Sequence, residues 1–171
     1  MSQFPQHNFH NKIHVNGKRN RLTSFSLIKK ITYENEERAE HARAGLEELK
    51  RSTFHERIVI PYFEYEIDGC ELTYQAEYIK GNYVTFWDMK TLREAFLERE
   101  NPWTFVDISP VNYIVDSYHP GIHHDQAPIY PVDLDSYGYW PERRHRVETW
   151  NRIIQRQRAD WSELLIDEDP A

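Results

Sequence analysis

FVDISPVNYIVD (residues 105–116) and IYPVDLDSYG (residues 129–138) decide how this chain reads. Each contains a short apolar run, YIV and YPV, beside acidic or amide residues. Asp107 and Asn112 lie five apart across a turn containing Pro110. Asp133 and Asp135 follow the second run and, two residues apart, are expected to share a strand face. The two runs are expected to pair as a hairpin, which brings an Asp, an Asn and a second Asp together. One carboxylate can then receive or orient a hydroxyl proton. The amide and the other carboxylate can hold a hard cation through oxygen.

Working outward, the 171 residues suffice for one domain or two small lobes. Large rings carry the apolar content, with eleven Tyr, eight Phe and five Trp. A net charge of −7 argues against a broad nucleic-acid surface. The single cysteine, Cys70, excludes an internal disulfide, fits a reducing compartment and is expected to be a small buried residue. No apolar run reaches membrane-spanning length, and no signal-peptide core is evident. These features point to a cytoplasmic protein without a membrane partner.

Residues 1–10 and 167–171 are expected to be flexible. KIHV (12–15), the Asn16-Gly17 turn and the basic run after it read as strand–turn–strand. SFSLIKKITY (24–33) reads as a strand with Lys29 and Lys30 on opposite faces. A helix is expected over 34–51, with Ala39, Ala42, Leu46 and Leu49 at helical spacing. RIVIPYFEYE (57–66) and CELTYQAEYI (70–79) read as a hairpin around Asp68-Gly69. Asp88 is expected to cap a helix running to about Arg99, and Pro141 to start a C-terminal helix. The order of strands, helix, hairpin, helix, hairpin and helix predicts an α+β fold, because hairpins dominate and no βαβ alternation occurs.

This order of motifs resembles the protein-kinase-like superfamily. In that pattern a lysine strand precedes a helix with a glutamate, and a hairpin and hinge lead to a D-x-x-x-x-N loop and a metal-binding Asp. LIKK matches the lysine strand, AEYIKG the hinge, DISPVN (107–112) the catalytic loop and VDLD (132–135) the metal segment. Ser109, where eukaryotic protein kinases have Lys, is similar to the RIO kinases. The short path from Asp135 to Trp140 is similar to the RIO, lipopolysaccharide-kinase and aminoglycoside-phosphotransferase branches.

The resemblance implies a bilobal fold in one kinase-like domain. An antiparallel-sheet N-lobe would span about 12–80, and a reduced helical C-lobe about 81–166. It implies ATP and Mg2+ as cofactors and a protein or small-molecule hydroxyl acceptor. Asp107 would be the catalytic base, and Asn112 with Asp133 or Asp135 the metal ligands. Lys29 or Lys30 would hold phosphates, Glu40 or Glu47 would be the helix glutamate, and Glu77 and Ile79 would line the adenine edge through their backbone. The alternative is a pseudokinase that binds nucleotide or protein without catalysis, since no Gly-rich phosphate loop is present. The loop with His119, His123, His124 and Asp125 reads as a polar surface loop.

Overall fold

The computed structural model describes residues 12–14, 25–116, 126–157 and 159–167. It is a mixed structure of small antiparallel sheets and three α-helices, compatible with α+β. The chain divides into two compact units, one of residues 1–43 and 60–79, the other of 44–59 and 80–171. The Asn16-Gly17 turn and the His119–His124 loop lie outside the described residues.

In the first unit, β1 (Lys12–His14), β2 (Phe25–Thr32), β3 (Phe63–Asp68) and β4 (Glu71–Glu77) form an antiparallel sheet in the order β1-β2-β4-β3. Directly opposite residues share a face. The pairs Ile67↔Leu72, Tyr65↔Tyr74 and Phe63↔Ala76 therefore set one apolar face, which Ile31 and Lys29 continue opposite Leu72 and Tyr74. Leu72, Tyr74, Ala76 and Phe63 are buried there. Glu64, Glu66 and Asp68 alternate onto the other face and are exposed. Gly69 takes a φ of +60°, which the tight β3–β4 turn needs and which a side chain would strain.

The strand expected over 57–66 begins only at Phe63. Pro61 has no N–H to give a ladder, so pairing cannot run through it. The residues before it serve the second unit instead. Ile58 bridges Ile129 in parallel, with Ile129 N donating to the Arg57 carbonyl (2.7 Å) and Val59 N to that of Ile129 (3.0 Å). Cys70 is half-buried rather than buried, because it sits beside the exposed turn.

Helix α1 (Glu36–Arg51) starts where Asn35 Oδ1 accepts from Arg38 N (2.9 Å). Glu36 and Glu37 in its first turn, and Lys50 and Arg51 in its last, suit the helix dipole. Ala39, Ala42, Leu46 and Leu49 are its buried stripe, as the spacing predicts. Gly45 permits a close approach: a Cβ there would lie 2.1 Å from the Tyr137 carbonyl oxygen.

The second unit holds a β5-β7-β8 sheet and a β6-β9 pair, from β5 (Asn82–Tyr83), β6 (Trp103–Phe105), β7 (Tyr113–Val115), β8 (Ile129–Pro131) and β9 (Tyr137–Tyr139). Helix α2 (Phe86–Leu92) is capped by Thr85, not by Asp88. Asp88 is the third helical residue, and its carboxylate reaches back to Thr85 N (2.8 Å) in a capping box. The helix widens into a π-turn over Arg93–Leu97, which buries Ala95, Phe96 and Leu97 in succession. Thr104 Oγ1 donates to the Phe96 carbonyl (2.7 Å) in that turn. Helix α3 (Arg143–Gln155) buries Val147, Trp150, Ile153 and Ile154. Trp150 Nε1 donates to the Leu164 carbonyl (2.7 Å), and Asn151 bonds both backbone groups of Ile166 at 2.8 Å, so the chain after α3 folds back along it.

The core of this unit is aromatic. Phe96, Phe105, Tyr113 and Tyr137 are fully buried, with ring centroids 5.0 Å apart for Phe105–Tyr137 and 5.1 Å for Phe96–Phe105. Beside it lies a buried ion pair, Arg57 Nη2 to Asp88 Oδ1 (2.9 Å). Arg57 Nε also donates to the Ala127 carbonyl (3.1 Å), so one side chain ties α2 to the approach to β8. Removing Asp88 strands a buried guanidinium and opens the cap. Asp88→Ala should therefore cost about 3–5 kcal/mol of unfolding free energy. Arg57→Met with Asp88→Leu should recover most of it. Urea titration checks this, and a loss under about 1 kcal/mol would contradict the assignment.

Candidate functional site

The expected hairpin forms. Tyr113 pairs with Pro131, Ile114 with Tyr130 and Val115 with Ile129. One further hydrogen bond, Val132 N to the Asn112 carbonyl (2.9 Å), carries this register past the strand ends. It holds the loop before β7 beside the segment after β8. Pro110–Asn112 form a 3₁₀ turn, with Pro110 at its start and Asn112 N bonded to the Ser109 carbonyl (2.9 Å). The turn reverses the chain within the five residues separating Asp107 from Asn112. Asn112 Nδ2 lies 3.4 Å from both the carbonyl and the Oδ2 of Asp107.

Asp107 is exposed, yet its carboxyl pKa is pushed up from its usual value. Burial by the surrounding protein is the larger cause, and the charge of Asp133 adds to it. The Asn112 amide opposes the rise. Asp107, Asn112 and Asp133 are thus one electrostatic neighbourhood, drawn from segments more than twenty residues apart. Beneath them lies Tyr113, fully buried, whose hydroxyl has no hydrogen-bond partner among the described residues. Burial, then the charges of Asp107 and Asp133, hold its phenol well above its usual range. It therefore remains a neutral donor beside the two acids. No polar pattern marks Tyr113 in the sequence, where it opens the apolar run YIV; its place directly after Asn112 is the only signal.

Asp135 does not share a strand face with Asp133. Asp133 precedes a 3₁₀ turn, Leu134–Ser136, and Asp135 lies inside it. The turn forms because Ser136 Oγ and N both bond the Asp133 carbonyl, at 2.7 Å and 3.2 Å. This breaks the two-residue alternation that a strand would give. Asp133 is thereby separated from Asp135 as the residue beside Asp107.

In the first unit the two lysines do point to opposite faces. Lys30 is on the polar face and pairs with Glu71 (3.1 Å). Lys29 is on the apolar face, opposite Tyr74. Glu40 is exposed and bonded to Arg43, which lowers its pKa and turns it along the helix surface. Glu47 is half-buried on the same helix. Glu77 closes the end of β4: its carboxylate accepts from Tyr62 N (2.9 Å) and its N–H donates to the Tyr62 carbonyl (3.0 Å). Its amide hydrogen is thus already used. Ile79 is half-buried beyond the strand.

Asp107 and Asp133 are the two carboxylates here, and Asn112 presents its amide nitrogen, not its oxygen, to Asp107. Among the described residues no group of three or more His, Cys, Asp or Glu converges. A cation held here would keep positions for water or phosphate oxygens, as Mg2+ does in nucleotide sites. No family model matches the chain, and a search of curated proteins finds no match.

The raised Asp107 pKa has a consequence for stability. The folded protein binds this proton more tightly than the unfolded chain, so ionisation costs stability as pH rises through the carboxylate range. Metal-free Asp107→Asn should melt above wild type at about pH 7, and the gap should narrow as pH falls toward about 4. Calorimetric scans across this range check it; a gap that stays constant, or a variant less stable at neutral pH, would contradict it.

Proposed function

We propose that the chain is a small atypical kinase. It would bind Mg-ATP and transfer the γ-phosphoryl group to a hydroxyl of a protein or small-molecule acceptor. The observation that carries this reading is the convergence of Asp107, Asn112 and Asp133 on the β7–β8 hairpin. A solvated turn has no physical need for two like charges beside one amide, because each raises the cost of the other. A cation-binding site does. The succession along the chain of a lysine-bearing strand, a helix and a hairpin supports the same kinase-like reading.

In this proposal Asp107 orients the acceptor hydroxyl and takes its proton as the new P–O bond forms and the bond to ADP breaks. Asn112 Oδ1 and the Asp133 carboxylate hold the cation, which supplies neutralisation of the phosphate charge. Lys29 or Lys30 would hold the phosphates as a point charge, as the resemblance implies. Asp135 is assigned no direct role. Among the described residues no helix is long and apolar enough to cross a membrane. We place the chain in the cytoplasm with its nucleotide, in keeping with a lone free thiol.

One observation favours a second reading. Glu40, a candidate for the lysine's partner, is instead paired with Arg43. A pseudokinase that binds nucleotide or protein without transfer could dispense with that pair.

The test combines binding and turnover. Millimolar ATP with Mg2+ should raise the melting temperature by several degrees, and ATP alone by less. Asp133→Ala should abolish the Mg2+-dependent part and any γ-phosphoryl transfer or ATP hydrolysis. A Mg2+-dependent shift without turnover selects the pseudokinase, and no shift in wild type removes both readings.

A further inference from the structure

The sheet beside Asp107 has an outer face as well as a buried one. On the inner face Tyr113, Val115 and Ile129 are buried. The register fixes what stands on the outer face, because directly opposite residues share a face and successive residues alternate. Tyr83 pairs with Ile114, and Ile114 with Tyr130, so these three side chains form a row across β5, β7 and β8. Tyr83 is 71 % exposed, more than any other large apolar residue described, and Ile114 and Tyr130 are half-buried. Along β7 the same face carries Asn112, Ile114 and Asp116. Asp116 N donates to the Pro128 carbonyl (2.9 Å), as Val132 N does to that of Asn112, so one register extends past both ends of the strand.

An exposed apolar row bounded by polar groups is the pattern of an interaction surface. Its spacing says what fits. Strand residues rise about 3.3 Å each, so Asn112 stands about 7 Å to one side of Ile114 and Asp116 about 7 Å to the other. An extended peptide has the same rise, and its alternate side chains also point to one side. The charge at both ends of the row is acidic, with Asp107, exposed and bonded to Asn112, at one end and Asp116 at the other. A carboxylate offers acceptor positions on both oxygens, so Asp116 can take a guanidinium alongside a partner of its own. In a protein of net charge −7 this face selects a basic partner.

We propose that this face docks the acceptor and that the acceptor is a protein, presented as an extended basic segment. Its Ser or Thr meets Asp107, an apolar side chain two residues away lies on the Tyr83–Ile114–Tyr130 row, and a Lys or Arg four residues away reaches Asp116. The inference rests on the kinase reading for the transfer itself. In that step the Ser or Thr oxygen bonds the γ-phosphorus, its proton passes to Asp107 and ADP leaves. The docking rests on the sheet register and the charge beside it.

A peptide array probed with the full chain, without nucleotide, tests the docking. Each peptide is a Gly-Ala spacer with one Ser, one Leu and one Arg, whose separations are varied. Retention should peak where Leu is two residues and Arg four residues from Ser, on one side of it. Tyr83→Ala should weaken the best peptide about fivefold or more in a fluorescence-anisotropy titration, yet keep the Mg-ATP melting shift of wild type. Asp116→Lys should exchange the charge preference, so that Glu in place of that Arg binds better. Retention regardless of spacing, or a Tyr83→Ala variant that binds as wild type does, overturns the docking proposal without touching the nucleotide reading. Selective peptide binding with no Mg-ATP shift keeps the docking face and overturns the peptide's role as acceptor.

Discussion

The hydrogen bond from Val132 N to the Asn112 carbonyl is the constraint on which the candidate site depends. The β7–β8 ladder has only three residue pairs, too few to be stable alone. It is held because Ile129 also pairs with the Arg57–Val59 segment, and Arg57 is anchored by Asp88 in α2. Below, Tyr113 and Val115 are buried in the aromatic core. A shift of the hairpin by one residue would turn Tyr113 outward and carry Asn112 away from Asp133. Site geometry and core packing are therefore set by one register.

The cost of this arrangement falls on electrostatics. Asp107 is partly desolvated beside another carboxylate, and the Tyr113 hydroxyl is buried without a partner. Elsewhere the unit satisfies its polar groups closely, as in the Thr85–Asp88 capping box and the clasp of Asn151 on Ile166. Two costly groups side by side suit a site completed by a ligand; the other buried side-chain atoms without a partner among the described residues belong to Arg93, Arg99, Trp140 and Arg146.

Much of the fold was legible in the sequence because its signals were local. The stripe Ala39, Ala42, Leu46 and Leu49 marks α1, and Asp68-Gly69 marks the β3–β4 turn. The pairing of YIV with IYP follows from two short apolar runs beside polar loops. What was not legible depended on distant partners. Residues 57–59 look like a strand, but the structure uses them to brace Ile129 and Asp88. Asp88 looks like a helix cap, but its carboxylate is shared between Thr85 and Arg57. Asp135 looks like a neighbour of Asp133 on one face until Ser136 bonds the Asp133 carbonyl and winds the chain into a 3₁₀ turn.

The central claim is that Asn112 and Asp133 bind a divalent cation presented with a nucleotide. A crystal structure with Mn2+ and a non-hydrolysable ATP analogue tests it most directly, because the anomalous signal of manganese locates the cation independently of the protein chain. The account predicts a manganese peak bonded to the Asp133 carboxylate and Asn112 Oδ1, with phosphate oxygens completing its coordination. A nucleotide-soaked crystal with no peak at these two residues, or with manganese on the Asp135 side of the turn, would contradict it.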